Sequence, residues 1–171
     1  MRERAYEEVM GVAHIRSNLP WFTRRPNARH DEMGNLMKKR ITATLLVMVH
    51  LLVVLGHGVA HEQLHIQANI WQRTFIALVI FIGPVVAMAL LWTRLQKMGL
   101  VVLLLTMAGS LFFGAAYHFF VPGSDNALEL PPGHWESLFK TSATWLAVIE
   151  TGAVAWCVWA LKSTAPHKAC R

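Results

Sequence analysis

ITATLLVMVHLLVVLGHGVAHEQLHI, residues 41–66, is apolar enough to cross a lipid bilayer, yet it carries His50, His57, His61 and His65. At about 100° per helical residue these side chains point to roughly 0°, −20°, +20° and +60°, forming one stripe. Histidine is costly in hydrocarbon and turns toward a bundle interior or a wet cavity, so the stripe marks a candidate site.

Outward from this stretch the chain contains four apolar runs in all, at 41–60, 74–92, 98–121 and 141–161. Each has about the 20 residues that a helix needs to cross ~30 Å of hydrocarbon. With 54 % hydrophobic and 15 % charged residues in a chain of 171, an ordinary soluble domain is excluded and residues 37–162 read as one membrane domain. The net charge is +6, but nine of the sixteen Lys and Arg precede residue 41. That distribution describes a topogenic flank and gives no support for a nucleic-acid partner.

The connections set an orientation. Residues 61–73 hold one Lys or Arg, residues 94–97 hold two, and residues 122–140 hold one against Asp125, Glu129 and Glu136. The positive-inside rule then predicts an all-α integral membrane protein, a four-transmembrane-helix up-down bundle with both termini cytoplasmic (N-in/C-in). A bacterial inner (plasma) membrane suits it, with the lipid bilayer, other membrane proteins or a second copy as partners. Residues 1–36 read as a polar, basic, mobile cytoplasmic extension. Its segment 5–15 is helix-compatible, and Pro20, Pro26, Asn27 and Gly34 act as breakers. Trp21, Phe22, Arg24 and Arg25 in it can touch the membrane surface. Met37-Lys38-Lys39-Arg40 resembles a second translation start, and residues 163–171 form a short basic tail. The basic cluster, the first apolar run and Gly58-Val59-Ala60 also resemble a signal peptide, against which stand the length of the run and His50 within it.

The helix faces carry further expectations. On the fourth span Ala143, Ala147, Glu150, Val154 and Cys157 share a face, with Trp145, Trp156 and Trp159 opposite. On the third, Thr106, Ser110, Gly114 and His118 recur every four residues as a small and polar ridge. Gly83-Pro84 predicts a kink in the second. His50 and Glu150 each lie ten residues from a basic helix end, about 15 Å deep from opposite sides, and so at one level.

Two constellations follow. His57-x-x-x-His61 sets two imidazoles one turn apart, a spacing that lets both bind one ion. His118, Asp125, His65 and His134 are candidates to complete a nitrogen and oxygen set suited to zinc, iron, copper(II) or manganese. Of the same His57, His61 and His118, either of the first two opposite His118 would supply the two axial ligands of haem b, and all three can equally be unliganded interfacial histidines. Gly56 and Gly58 fit close helix packing or room for a cofactor. His50 and Glu150 are a candidate proton relay, sharing one proton, or a structural pair. Cys157 and Cys170 fit a core thiol and a free thiol.

Three functions remain open: a transition-metal membrane protein for redox chemistry or metal handling, a haem-binding electron-transfer subunit, and a non-catalytic accessory subunit. Whether the chain is an enzyme, and which residues would be catalytic, stays open as well.

Overall fold

The computed structural model describes residues 26–163, which contain helices and no strand. Expectations for residues 1–25, including the helix-compatible segment 5–15, Trp21, Phe22, Arg24 and Arg25, and for the tail 164–171 lie outside these. Residues from Lys39 onward make one compact unit. Four helices are long and apolar enough to cross a membrane. We number them α1 (Pro26–Gln63), α2 (Ile70–Leu91), α3 (Gln96–Phe120) and α4 (His134–Lys162).

Three expected breakers, Pro26, Asn27 and Gly34, do not break, and Pro20 lies outside the described residues. Pro26 opens α1, where its missing N–H costs nothing, and the helix continues through Gly34. At the other end α1 stops earlier than its histidine stripe, and its last turn closes as a Schellman motif. The Ile66 N–H reaches the His61 carbonyl at 3.0 Å, the His65 N–H reaches that of Glu62 at 3.1 Å, and His65 takes φ 54°. Helix α2 then starts on a capping box, with Asn69 Oδ1 accepting from the Gln72 N–H and Gln72 Oε1 from the Asn69 N–H.

Where the Gly83-Pro84 step is expected to kink α2, the helix carries a π-helical segment, Ile76–Ile82, directly before it. Pro84 has no N–H to give to the preceding turn, where Gly83 bonds five residues back to the Leu78 carbonyl. Gly83 is needed for approach, since a Cβ there would collide with the Thr106 methyl on α3. At the far end of the same contact, a Cβ on Gly99 would come within 2.8 Å of the Leu91 backbone nitrogen.

Small side chains face inward and large ones outward. Ala43, Ala87, Ala153, Cys157 and Ala160 are fully buried beside Val47, Leu100, Leu103 and Met107, whereas Leu45, Leu52, Leu105 and Trp145 are exposed. This is the pattern of helices that meet by close backbone approach and turn their bulk toward lipid. Trp159 is exposed as the face argument predicts, but Trp156 departs from it by packing half-buried against the core.

Candidate metal centre

Helix α1 presents His57 and His61 one turn apart, and α3 brings His118 against them. His118 sits in a second π-helical segment, Ala116–Phe120, a local rewinding that is frequent at functional sites. His57 Nε2 lies 3.1 Å from His118 Nε2 and 3.1 Å from His61 Nε2. The three residues can offer ligand atoms that all lie within 4.8 Å of one another, so they form a group able to hold a metal ion.

The outer ring nitrogens decide the tautomers. The Ser142 hydroxyl donates to the Leu138 carbonyl at 2.7 Å, with that of Phe139 at 3.0 Å, which commits its only proton. Ser142 Oγ therefore accepts from His57 Nδ1–H at 2.8 Å. His118 Nδ1 lies 3.1 Å from the Asp125 carbonyl oxygen and 3.1 Å from Asp125 Oδ1, both acceptors, so it too carries a proton. In their neutral forms His57 and His118 thus aim two Nε2 lone pairs at each other across 3.1 Å. Two acceptors repel at that separation unless a proton or a cation lies between them. Nitrogens bound tetrahedrally to one ion at about 2.0–2.1 Å stand about 3.3 Å apart, close to the spacing observed.

The surroundings have the form of a ligand-orienting shell. A metal-bound imidazole usually donates its other N–H to a hydroxyl, carbonyl or carboxylate, as His57 does to Ser142 and His118 to Asp125. The Asp125 carboxylate hangs over the open side. Its Oδ1 is 3.4 Å from His61 Nε2, buried, and accepts no aligned hydrogen bond. The loop that carries it is tied down by Asn126, whose Nδ2 donates to the Val121 carbonyl, and by the Ala127 N–H on the His118 carbonyl. Phe139, fully buried, packs against all three imidazoles at centroid distances of 4.7–5.0 Å.

Of the six candidate ligands, the structure gathers His57, His61 and His118, with Asp125 beside them. His65 leaves the stripe because the Schellman turn ends the helix before it, and it is exposed. The expectation that it extends the row by another turn is therefore corrected. His134 is the first residue of α4, exposed and stacked edge-on against Trp135. Ser142 and Phe139 are site residues that sequence reasoning missed. The signal for Ser142 was its place eight residues before Glu150, on the same face of α4. Gly56 and Gly58 are settled by space, since a Cβ on either meets nothing within 4 Å and close packing is not their reason.

Deeper in, His50 and Glu150 meet as their equal depth predicts, Nδ1 to Oε1 at 3.5 Å. Both are buried. The Ser110 hydroxyl donates to Glu150 Oε1, and His50 Nε2 donates to the Ile80 carbonyl at 3.3 Å. A cavity of about 920 Å³ is lined by His57, His61, His118 and Asp125 at one end and by Ser110 and Glu150 at the other.

No protein-family model, no curated protein and no solved structure matches this chain.

Proposed function

We propose that this is an integral membrane protein that binds one first-row transition metal ion through Nε2 of His57, His61 and His118, for redox chemistry or for passing the ion on. The observation that carries the reading is the pair of facing Nε2 lone pairs, 3.1 Å apart and each held in place by a committed Nδ1–H. Asp125 is the fourth ligand or the carboxylate that neutralises the ion, and its buried Oδ1, 3.4 Å from His61 Nε2 without an aligned hydrogen bond, supports that role. Three imidazoles and a carboxylate suit zinc, iron, copper(II) or manganese, while His65 and His134 would serve only as peripheral ligands. The distribution of lysines and arginines supports cytoplasmic termini and a centre at the outer face, with a bacterial-type inner membrane as the proposed location. Glu150, which lines the same cavity with His50 behind it at 3.5 Å, is the group that would supply or take up a proton.

Haem b on the same histidines is less well supported. Two axial nitrogens stand about 4 Å apart on opposite sides of a macrocycle, with the iron between them. The test is elemental analysis and an absorption spectrum of the protein purified in mild detergent, beside a His57→Ala/His61→Ala variant. We expect about one equivalent of metal without a Soret band, lost in the variant. A Soret band would move the reading to electron transfer by haem. Neither metal nor colour after reconstitution would leave an accessory subunit, with the exposed Trp145 and Trp159 as places to look for a partner.

A further inference from the structure

The 920 Å³ cavity is far larger than one ion and a few waters need, and falls within the range of sites for drug-sized molecules. Between its polar ends the wall is apolar and partly aromatic, with Val54, Ile76, Phe81, Phe113 and Leu146 among the lining residues. Gly58, whose Cβ would meet nothing, adds to the space. Past Glu150 the way is closed by the core of Ala43, Val47, Leu103, Met107 and Cys157. The cavity is therefore a pocket with a polar floor.

The chemistry of that floor selects the ligand. His50 already gives its Nε2–H to Ile80, so one further proton between Nδ1 and Glu150 leaves the pair neutral, and either more or fewer protons would bury a net charge. A neutral pair offers a charged ligand no net attraction. Ser110 and His50 both approach Oε1, which leaves Oε2 for whatever enters, as donor when the carboxyl holds the proton and as acceptor when it does not.

We propose that this pocket binds a neutral, planar lipophile of the phenol, quinol or quinone class, its ring oxygen hydrogen-bonded to Glu150 and its ring held between the apolar walls. A hydroxyl or a carbonyl on such a ring matches either protonation state of the floor. The opposite end of the ligand then lies toward the histidine centre. The inference rests on the metal reading only for what stands at that upper end, since the floor and walls are independent of it.

The test uses the full-length protein in detergent with duroquinone as probe. Durene, the same methylated ring without oxygens, serves as the control, and binding is followed by calorimetry with metal content measured on each sample. Saturable one-to-one binding of duroquinone is expected, at least tenfold tighter than durene. Ala147→Phe, which fills the pocket one turn from Glu150, should abolish it with the metal retained, and Leu52→Phe on the exposed face of α1 should leave it unchanged. The metal-free His57→Ala/His61→Ala variant should still bind the probe, which separates failure of the metal reading from failure of this one. Absence of saturable binding to the unmodified protein, equal binding of durene, or binding indifferent to Ala147→Phe would overturn the proposal.

Discussion

His50 on α1 meets the Ile80 carbonyl on α2, four residues before Pro84: its Nε2 lies 3.3 Å from that oxygen. A carbonyl only accepts, so the contact puts the His50 proton on Nε2 and leaves Nδ1 facing Glu150 Oε1 at 3.5 Å.

This relationship predicts a non-additive pair. His50→Leu removes a donor to the Ile80 carbonyl and the neighbour of Glu150, with an expected cost of about 1–3 kcal/mol. In a Pro84→Ala background residue 84 has an N–H to offer the turn that contains Ile80, and the cost of His50→Leu should fall by about 1 kcal/mol. Denaturation midpoints of the four proteins in mixed detergent micelles check it, and strict additivity would show that the contact carries no stability.

Ser142→Ala removes no proposed ligand but takes away the acceptor that holds His57 Nδ1–H. Metal affinity should drop about 10–100-fold, as for other partners that orient liganding histidines. Competition against a chelator of known affinity gives the number, and unchanged affinity would mean that Ser142 serves only α4.

Asp125→Asn keeps the backbone carbonyl that accepts from His118 and loses the carboxylate charge. Affinity for a divalent ion should weaken by at least about tenfold, with His57, His61 and His118 still sufficient for measurable binding. Complete loss of metal would instead make Asp125 an indispensable ligand.

His65 sits at φ 54°, a left-handed conformation that a side chain strains and glycine does not. His65→Gly should therefore raise stability by about 1 kcal/mol and leave metal content unchanged. Loss of metal in that variant would return His65 to the ligand set.

Gly83 and Gly152 should respond in opposite directions. A side chain at Gly83 meets Thr106 and the Leu78 carbonyl, so Gly83→Val should cost about 1–3 kcal/mol. Gly152 has nothing within 4 Å, and Gly152→Ala should gain about 0.5–1 kcal/mol from helix propensity. Unfolding midpoints of the two variants suffice to compare them.

What the chain alone determined is the part that depends on near neighbours along it. Four apolar runs specify four membrane-length helices, because length and hydropathy are local. The 3.6-residue period places His57 above His61 and puts Glu150 on the face of Ala143 and Cys157. Rise per residue puts His50 at the depth of Glu150. The rest required helices to meet. His118 joins His57 only through the packing of α3 and its π-helical end, which no regular period predicts. Asp125 reaches the site because a loop folds back over it. His65 leaves because a reversal at the end of α1 overrides the stripe, and Ser142 acquires its role from an imidazole 85 positions earlier in the chain. Helical periodicity constrains the direction of a side chain about its own axis. The rotation of one helix against another is set by contacts such as Gly83 on Thr106, which exist only once both helices are in place.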